Sequence, residues 1–158
     1  MSQYMNLIGQ NARKASLEKI NTKVKNEILK KYASLLDKER NSIIIENTKD
    51  IKFALKERLK SNLIDRLTIN HEKLDNIKSS INKIIKLKDP VDNIIEKWSR
   101  PNGLKIKRVS IPIGVIGVIY ESRPNVTADV ASLCFKSGNA VILKGGSEAI
   151  NTNKILAK

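Results

Sequence analysis

Three short clusters in this chain carry side chains able to do chemistry. At 144–148 the order Lys-Gly-Gly-Ser-Glu sets a cation at the end of an apolar run, then two residues without side chains, then Ser147 and Glu148 at the opening of a helix. A cation, close backbone approach and free helix N–H groups together suit an anionic ligand. The bland alternative is a tight turn with a solvated lysine, Ser147 serving only as a helix cap. At 121–125, Glu-Ser-Arg-Pro-Asn offers Arg123, whose guanidinium suits a carboxylate or a phosphate, and Asn125, which could donate to a developing oxyanion. The alternative there makes Pro124 the first helical residue, Asn125 a local cap and Arg123 a surface charge. Cys134 stands between Leu133 and Phe135, with no histidine or helix N-terminus beside it to lower its pKa. It is expected to act as a small hydrophobe. His71, alone near a helix start, is expected to be inert. One cysteine and one histidine exclude an intrachain disulfide and a Cys/His zinc cluster.

The elements around these clusters form a recognisable unit. Ile113 to Tyr120 is an almost unbroken apolar run, the pattern of a parallel strand buried on both faces. Ala140 to Leu143 is a second such run, and the helix between them should stop at Gly138. This is a βαβ unit, and in open α/β sheets ligands sit beyond the carboxyl ends of the strands. Both candidate clusters lie there. Gly114 and Gly117 fall at the entry of, or inside, the first strand, so close packing explains them better than a phosphate loop does.

Upstream the chain reads as helices. Ile20, Val24, Ile28, Tyr32 and Leu35 recur at helical steps, and a second helix is expected from about Lys38 to Leu59. Asn70 is the expected N-cap of a third, with Leu74, Ile77, Ile81, Ile84 and Ile85 inward and Asp89-Pro90 as its stop. Two extended runs around Pro101-Asn-Gly103 predict a β-hairpin. The expected organisation is a helical segment over 1–92, a hairpin over 93–110, and the start of a Rossmann-like parallel sheet over 111–158.

The 158 residues carry a net charge of +14, which invites a nucleic-acid reading. The lysines, however, are scattered among glutamates rather than gathered in a block. Only three Tyr, two Phe and one Trp are available to stack on bases. A solvated basic surface is the better account, with no nucleic-acid partner. The longest apolar stretch is too short to span a bilayer, and the first residues lack the sections of a signal peptide. A cytoplasmic location without a membrane partner is expected.

The run from Pro112 through YESRPN to Thr127, with Lys136 to Ala149 (KSGNAVILKGGSEA), resembles the gamma-glutamyl phosphate reductases. These glutamate-5-semialdehyde dehydrogenases are members of the aldehyde dehydrogenase superfamily. Asp65-Arg-Leu-Thr68, Asp89-Pro90 and Trp98-Ser-Arg-Pro-Asn-Gly-Leu104 extend the likeness upstream. The resemblance implies an aldehyde dehydrogenase-like α/β fold and NADPH-dependent reduction of L-glutamate 5-phosphate to the semialdehyde and phosphate, in proline biosynthesis. It implies that a cysteine thiolate attacks the acyl phosphate, and that this nucleophile lies beyond Lys158. The matching lysine and Ser-Glu pair border the adenosine ribose of NADP(H). Carried over, Lys144, Gly145, Gly146, Ser147 and Glu148 are cofactor-binding, Ile119 and Tyr120 border the nicotinamide side, and Arg123 and Asn125 are oxyanion or substrate contacts. The hairpin joins an oligomerisation surface, so a homo-oligomer is implied, and glutamate 5-kinase is the implied functional neighbour.

Two parallel strands leave unpaired edges and a bare face, and no stop signal follows Leu156, so a truncated reductase, inactive alone, is expected. Another aldehyde dehydrogenase specificity, a basic nucleic-acid module and a degraded gene product are the rival readings.

Overall fold

The computed structural model describes residues 3–158. Five helices come first: α1 (Gln3–Ser16), α2 (Thr22–Lys38), α3 (Arg40–Lys56), α4 (Ser61–Leu67) and α5 (His71–Lys86). Strands β1 (Ile94–Ser99) and β2 (Lys105–Val109) form an antiparallel hairpin. Then β3 (Val115–Ile119), α6 (Asn125–Lys136) and β4 (Ala140–Lys144) make the expected βαβ unit, with β3 and β4 parallel. A single 3-10 turn over Ser147–Ala149 leads into α7 (Ile150–Leu156).

The end signals behave largely as the sequence predicts. Asn70 caps α5, its Oδ1 accepting the Lys73 N–H at 2.8 Å. Leu74, Ile77, Ile81 and Ile84 are buried on that helix and Ile85 packs beside them. At the end of α6, Asn139 N–H donates to Cys134 O at 2.8 Å and Gly138 N–H to Phe135 O at 3.1 Å. This is a Schellman stop, with Gly138 at φ 74° in the left-handed region. A Cβ at Gly138 would meet Pro112 and Val91 side chains at 3.0 Å, so glycine is required twice over.

Three expectations need correction. The buried face of α2 is Lys25, Leu29, Ala33 and Leu36, one step round from the predicted stripe. Val24, Ile28 and Leu35 are exposed, and Ile28, Tyr32 and Leu35 border an apolar groove of about 890 Å³ between α1, α2, α6 and β4. A lysine on the core face shifts the apparent apolar centre of a helix, and Lys25 does so here. The β3 run is not buried on both faces: Ile113 is 83% and Ile119 80% exposed, because a two-stranded sheet leaves one side bare. Finally, α7 begins at Ile150, and Ser147 caps nothing.

One core joins the helical segment to the βαβ unit. Leu29, Leu36, Ile43, Leu74, Ile77 and Ile81 share it with Ala128 of α6 and Leu156 of α7. Burying such side chains stabilises by about 1.5–3 kcal/mol each. The hairpin contributes nothing to this core. Every residue of β1 is exposed, including Ile94, Ile95 and Trp98.

Polar joints lock the layers where the apolar core ends. Asp50 and Asn47, each 1% exposed, sit on the buried face of α3 with Ile43 and Ala54. Asp50 accepts the N–H groups of Asn151 (3.1 Å) and Thr152 (2.8 Å), the Asn151 amide (2.7 Å) and the Thr152 hydroxyl (2.6 Å). It thereby caps α7 from across the fold. Asn47 bonds Leu67 O (2.9 Å) and Ile69 N–H (2.8 Å), fixing the α4–α5 connection. Buried Lys25 pairs with Asp89 at 2.9 Å and donates to Lys136 O at 3.3 Å.

Candidate functional site

The parallel register aligns Ile119 with Lys144, so the loop after β3 and the turn after β4 leave the sheet side by side. This brings the two candidate clusters together. Glu148 Oε1 accepts both the Ser122 N–H (2.7 Å) and the Ser122 hydroxyl (2.8 Å). Ser122 has φ 39°, a left-handed conformation costly for a residue with a Cβ, and the two bonds hold it there. Burial alone would raise the Glu148 carboxyl. Its own backbone N–H and the two Ser122 donors outweigh that and hold it below the ordinary glutamate value. The carboxylate lies so close over the turn that a Cβ at Gly146 would collide with it.

A second tie runs beneath the first. Thr127 donates its hydroxyl to Asn153 Oδ1 at 3.0 Å, so the 2.5 Å contact between Thr127 and the Tyr120 hydroxyl has tyrosine as donor. A Cβ at Gly145 would press on that tyrosine hydroxyl at 3.1 Å and on the Asn153 amide. A side chain at either glycine would displace these side-chain ends.

The remaining candidates are placed as follows. Lys144 is exposed and pairs with no described residue. Arg123 is likewise exposed without a partner. Ser147 is exposed, and Ile119 stands in solvent at the end of β3. Asn125 is the first residue of α6 and no cap: its amide donates forward to Asp129 Oδ2 at 3.2 Å. Cys134 is buried, and burial pushes its thiol above the ordinary value, which suits packing and not nucleophilic attack. His71 is exposed at the start of α5.

Two features were not anticipated from sequence. The N–H groups opening α7 are taken by the Asp50 carboxylate, so that helix start is not free for an anion. The signal was present, since Asn47 and Asp50 fall at helical steps between Ile43 and Ala54, where a core face should be apolar. The other is Asp129, half-buried behind Asn125, with Oδ1 unpartnered and its carboxyl raised above the ordinary value, chiefly by burial.

The arrangement leaves two cations that pair with no described residue, Lys144 and Arg123, two residues without side chains, and a carboxylate with one oxygen bonded to Ser122. Both Ser122 donors go to Glu148 Oε1. An exposed cation and a carboxylate at a glycine turn suit the phosphates and hydroxyls of a nucleotide ribose. The residues therefore fit a dinucleotide's ribose end.

No protein-family model matches the chain. It is similar to the gamma-glutamyl phosphate reductase of Halothermothrix orenii, 48% identical over 152 residues, covering 93% of this chain and 36% of the relative. The gamma-glutamyl phosphate reductase of Aquifex aeolicus is 49% identical over 140 residues, covering 89% and 32%. Among solved structures, the Thermotoga maritima gamma-glutamyl phosphate reductase matches with a TM-score of 0.90 at 43% identity, over 93% of this chain and 36% of that one. The Saccharomyces cerevisiae gamma-glutamyl phosphate reductase gives 0.92 at 36% identity, over 99% and 40%. A putative aldehyde dehydrogenase of Bacillus subtilis gives 0.73 at 17% identity over 98% and 32%, a likeness of fold alone. The chain spans about a third of the length of the curated relatives it matches.

Proposed function

We infer that this chain, a relative of the gamma-glutamyl phosphate reductases with an aldehyde dehydrogenase-like fold, supplies the cofactor-binding part of such a reductase. The reaction is reduction of L-glutamate 5-phosphate to L-glutamate 5-semialdehyde with release of phosphate, in proline biosynthesis. The observation that carries this reading is the meeting of the 121–125 loop and the 144–148 turn at the carboxyl ends of β3 and β4, bound through Ser122 and Glu148. It gains support from the similarity of nearly the whole chain to proteins of that name.

NADPH supplies the hydride when bound. Lys144 would hold its ribose or 2′-phosphate, beside the Gly145–Gly146 turn. Ser147 and the second oxygen of Glu148 accept ribose hydroxyls. Because Glu148 is committed to Ser122, Lys144 is the unpaired charge of the turn, which favours a phosphorylated ribose. Ile119 and Tyr120 wall the nicotinamide side, with the tyrosine fixed by Thr127. Arg123 draws in the acyl phosphate. Asn125 has a second amide proton beyond the one given to Asp129, and offers it to the oxyanion. The nucleophile is not among these residues, and Cys134 is not a substitute.

The exposed hairpin, with Ile94, Ile95 and Trp98 in solvent, is consistent with a subunit contact, since a lone two-stranded hairpin is marginal in water. A homo-oligomer built through it is the proposed assembly in the cytoplasm. Acyl phosphates hydrolyse readily, so glutamate 5-kinase, which makes this one, is the expected neighbour upstream.

The test uses the product of the whole reading frame. Oxidation of glutamate 5-semialdehyde should require both NADP and inorganic phosphate. Lys144→Ala should raise KM for NADP at least about tenfold and leave kcat within about twofold. Phosphate-independent turnover, or an unchanged KM, would sink the assignment. The 158-residue chain alone should show no turnover.

A further inference from the structure

A second hollow, of about 250 Å³, lies between α4, α5 and the first turn of α6. Its polar wall is Arg66, Lys73, Asn76, Ser80, Asn125 and Asp129. Asp129 is short of partners: Oδ1 is shielded and accepts no hydrogen bond, while Oδ2 accepts one, at 3.2 Å from Asn125. Oδ1 is out of reach of solvent, so a donor entering the hollow meets Oδ2, which has a second lone pair beyond the one Asn125 uses. Opposite charge shares the same wall. Arg66 pairs with no described residue, and Lys73 gives only one of its protons, to Asp65 O at 2.6 Å.

A simple anion entering this hollow would be repelled by Asp129, and a simple cation by Arg66 and Lys73. A molecule carrying both charges a few ångströms apart satisfies the whole wall. We propose that the hollow binds the head of a free amino acid, its α-ammonium on Asp129 and its α-carboxylate on Arg66 and Lys73. Burial already raises the Asp129 carboxyl, and an ammonium beside it would reverse that shift. The volume suits an amino-acid head and is too small for a dinucleotide. Asn125 belongs both to this wall and to the loop bearing Arg123, so a side chain extending from the hollow leads toward the reacting end of the site. The identity of the amino acid as a glutamyl group rests on the reductase reading. The class of ligand rests on the charge pattern alone.

The test is titration of the isotope-labelled 158-residue chain, followed by NMR, with L-glutamate, glutarate and 4-aminobutyrate. Glutarate lacks the ammonium and 4-aminobutyrate lacks the α-carboxylate. L-glutamate should shift the Asn125 amide and neighbouring signals of α5 and α6, and bind at least about tenfold tighter than either analogue. Asp129→Asn should abolish the advantage over glutarate. Arg66→Gln, a change on the surface, should abolish the advantage over 4-aminobutyrate. Equal binding of all three ligands, shifts confined to other regions, no binding, or unaltered selectivity in both variants would overturn the proposal. No cofactor or turnover enters this readout. A chain that selects L-glutamate but belongs to no reductase ends only the functional reading, and a working reductase that fails the titration ends only this one.

Discussion

Glu148 reaches back from the turn after β4 and accepts both the backbone N–H and the hydroxyl of Ser122, a residue 26 positions earlier. One carboxylate oxygen thus binds the two loops of the candidate site and holds a serine at φ 39°.

Removing that carboxylate should cost stability and loosen the loop. Ser122 is buried, so Glu148→Ala leaves two donors unpaired, at a cost of about 1–3 kcal/mol. The Glu148 pKa is depressed in the folded state. Its contribution is therefore present above the ordinary glutamate value and lost as pH falls through the lower folded value. Urea unfolding of wild type and variant should differ at neutral pH and converge in acid. A gap that persists unchanged in acid would contradict this account.

Asp50 should be among the most sensitive polar positions. Asp50→Ala strips the cap from α7 and leaves the buried donors of Thr152 unpaired, an effect of about 3 kcal/mol or more. Asp50→Asn turns an amide toward donors and should recover only part of it. A denaturation midpoint within error of wild type for either variant would show that α7 is capped by other means.

The pair of buried Lys25 with half-buried Asp89 makes a separate prediction about acid. Burial alone would raise the Asp89 carboxyl, but bonds from Lys25, Val91 N–H and Thr22 hold it below the ordinary aspartate value. Its stabilisation is full above that ordinary value and disappears as pH drops through the folded one. Lys25→Met should cost about 1–3 kcal/mol at neutral pH, because it takes the cation from a half-buried carboxylate that keeps its Thr22 and Val91 donors. Thermal melts across the acid range should show the penalty shrinking as Asp89 protonates.

Two glycines offer a paired control. Gly138→Ala meets Pro112 and Val91 at 3.0 Å from a left-handed backbone and should destabilise by about 2 kcal/mol or more. Gly117→Ala meets nothing within 4 Å and should be neutral or slightly stabilising. Equal effects in calorimetry would mean that neither contact nor φ governs Gly138.

The sequence by itself determined the local structure and the order of elements. Asn70 as a cap, Gly138 as a stop, the Pro101–Gly103 turn and the apolar runs of β3 and β4 are properties of a few neighbouring residues, so they can be read without the fold. The residue types of the candidate clusters, Lys144 with the glycine pair after one strand and Arg123 after the other, could be read from sequence for the same reason. Tertiary structure decided which groups meet. That Glu148 is committed to Ser122, that Asp50 rather than Ser147 caps α7, and that Lys25 lies on the core face of α2 are all long-range pairings. A polar side chain states its need for a partner in the sequence, but the partner is chosen by the packing of helices distant along the chain. The exposed face of β3 follows from packing too, because an apolar run is buried only when another layer covers it.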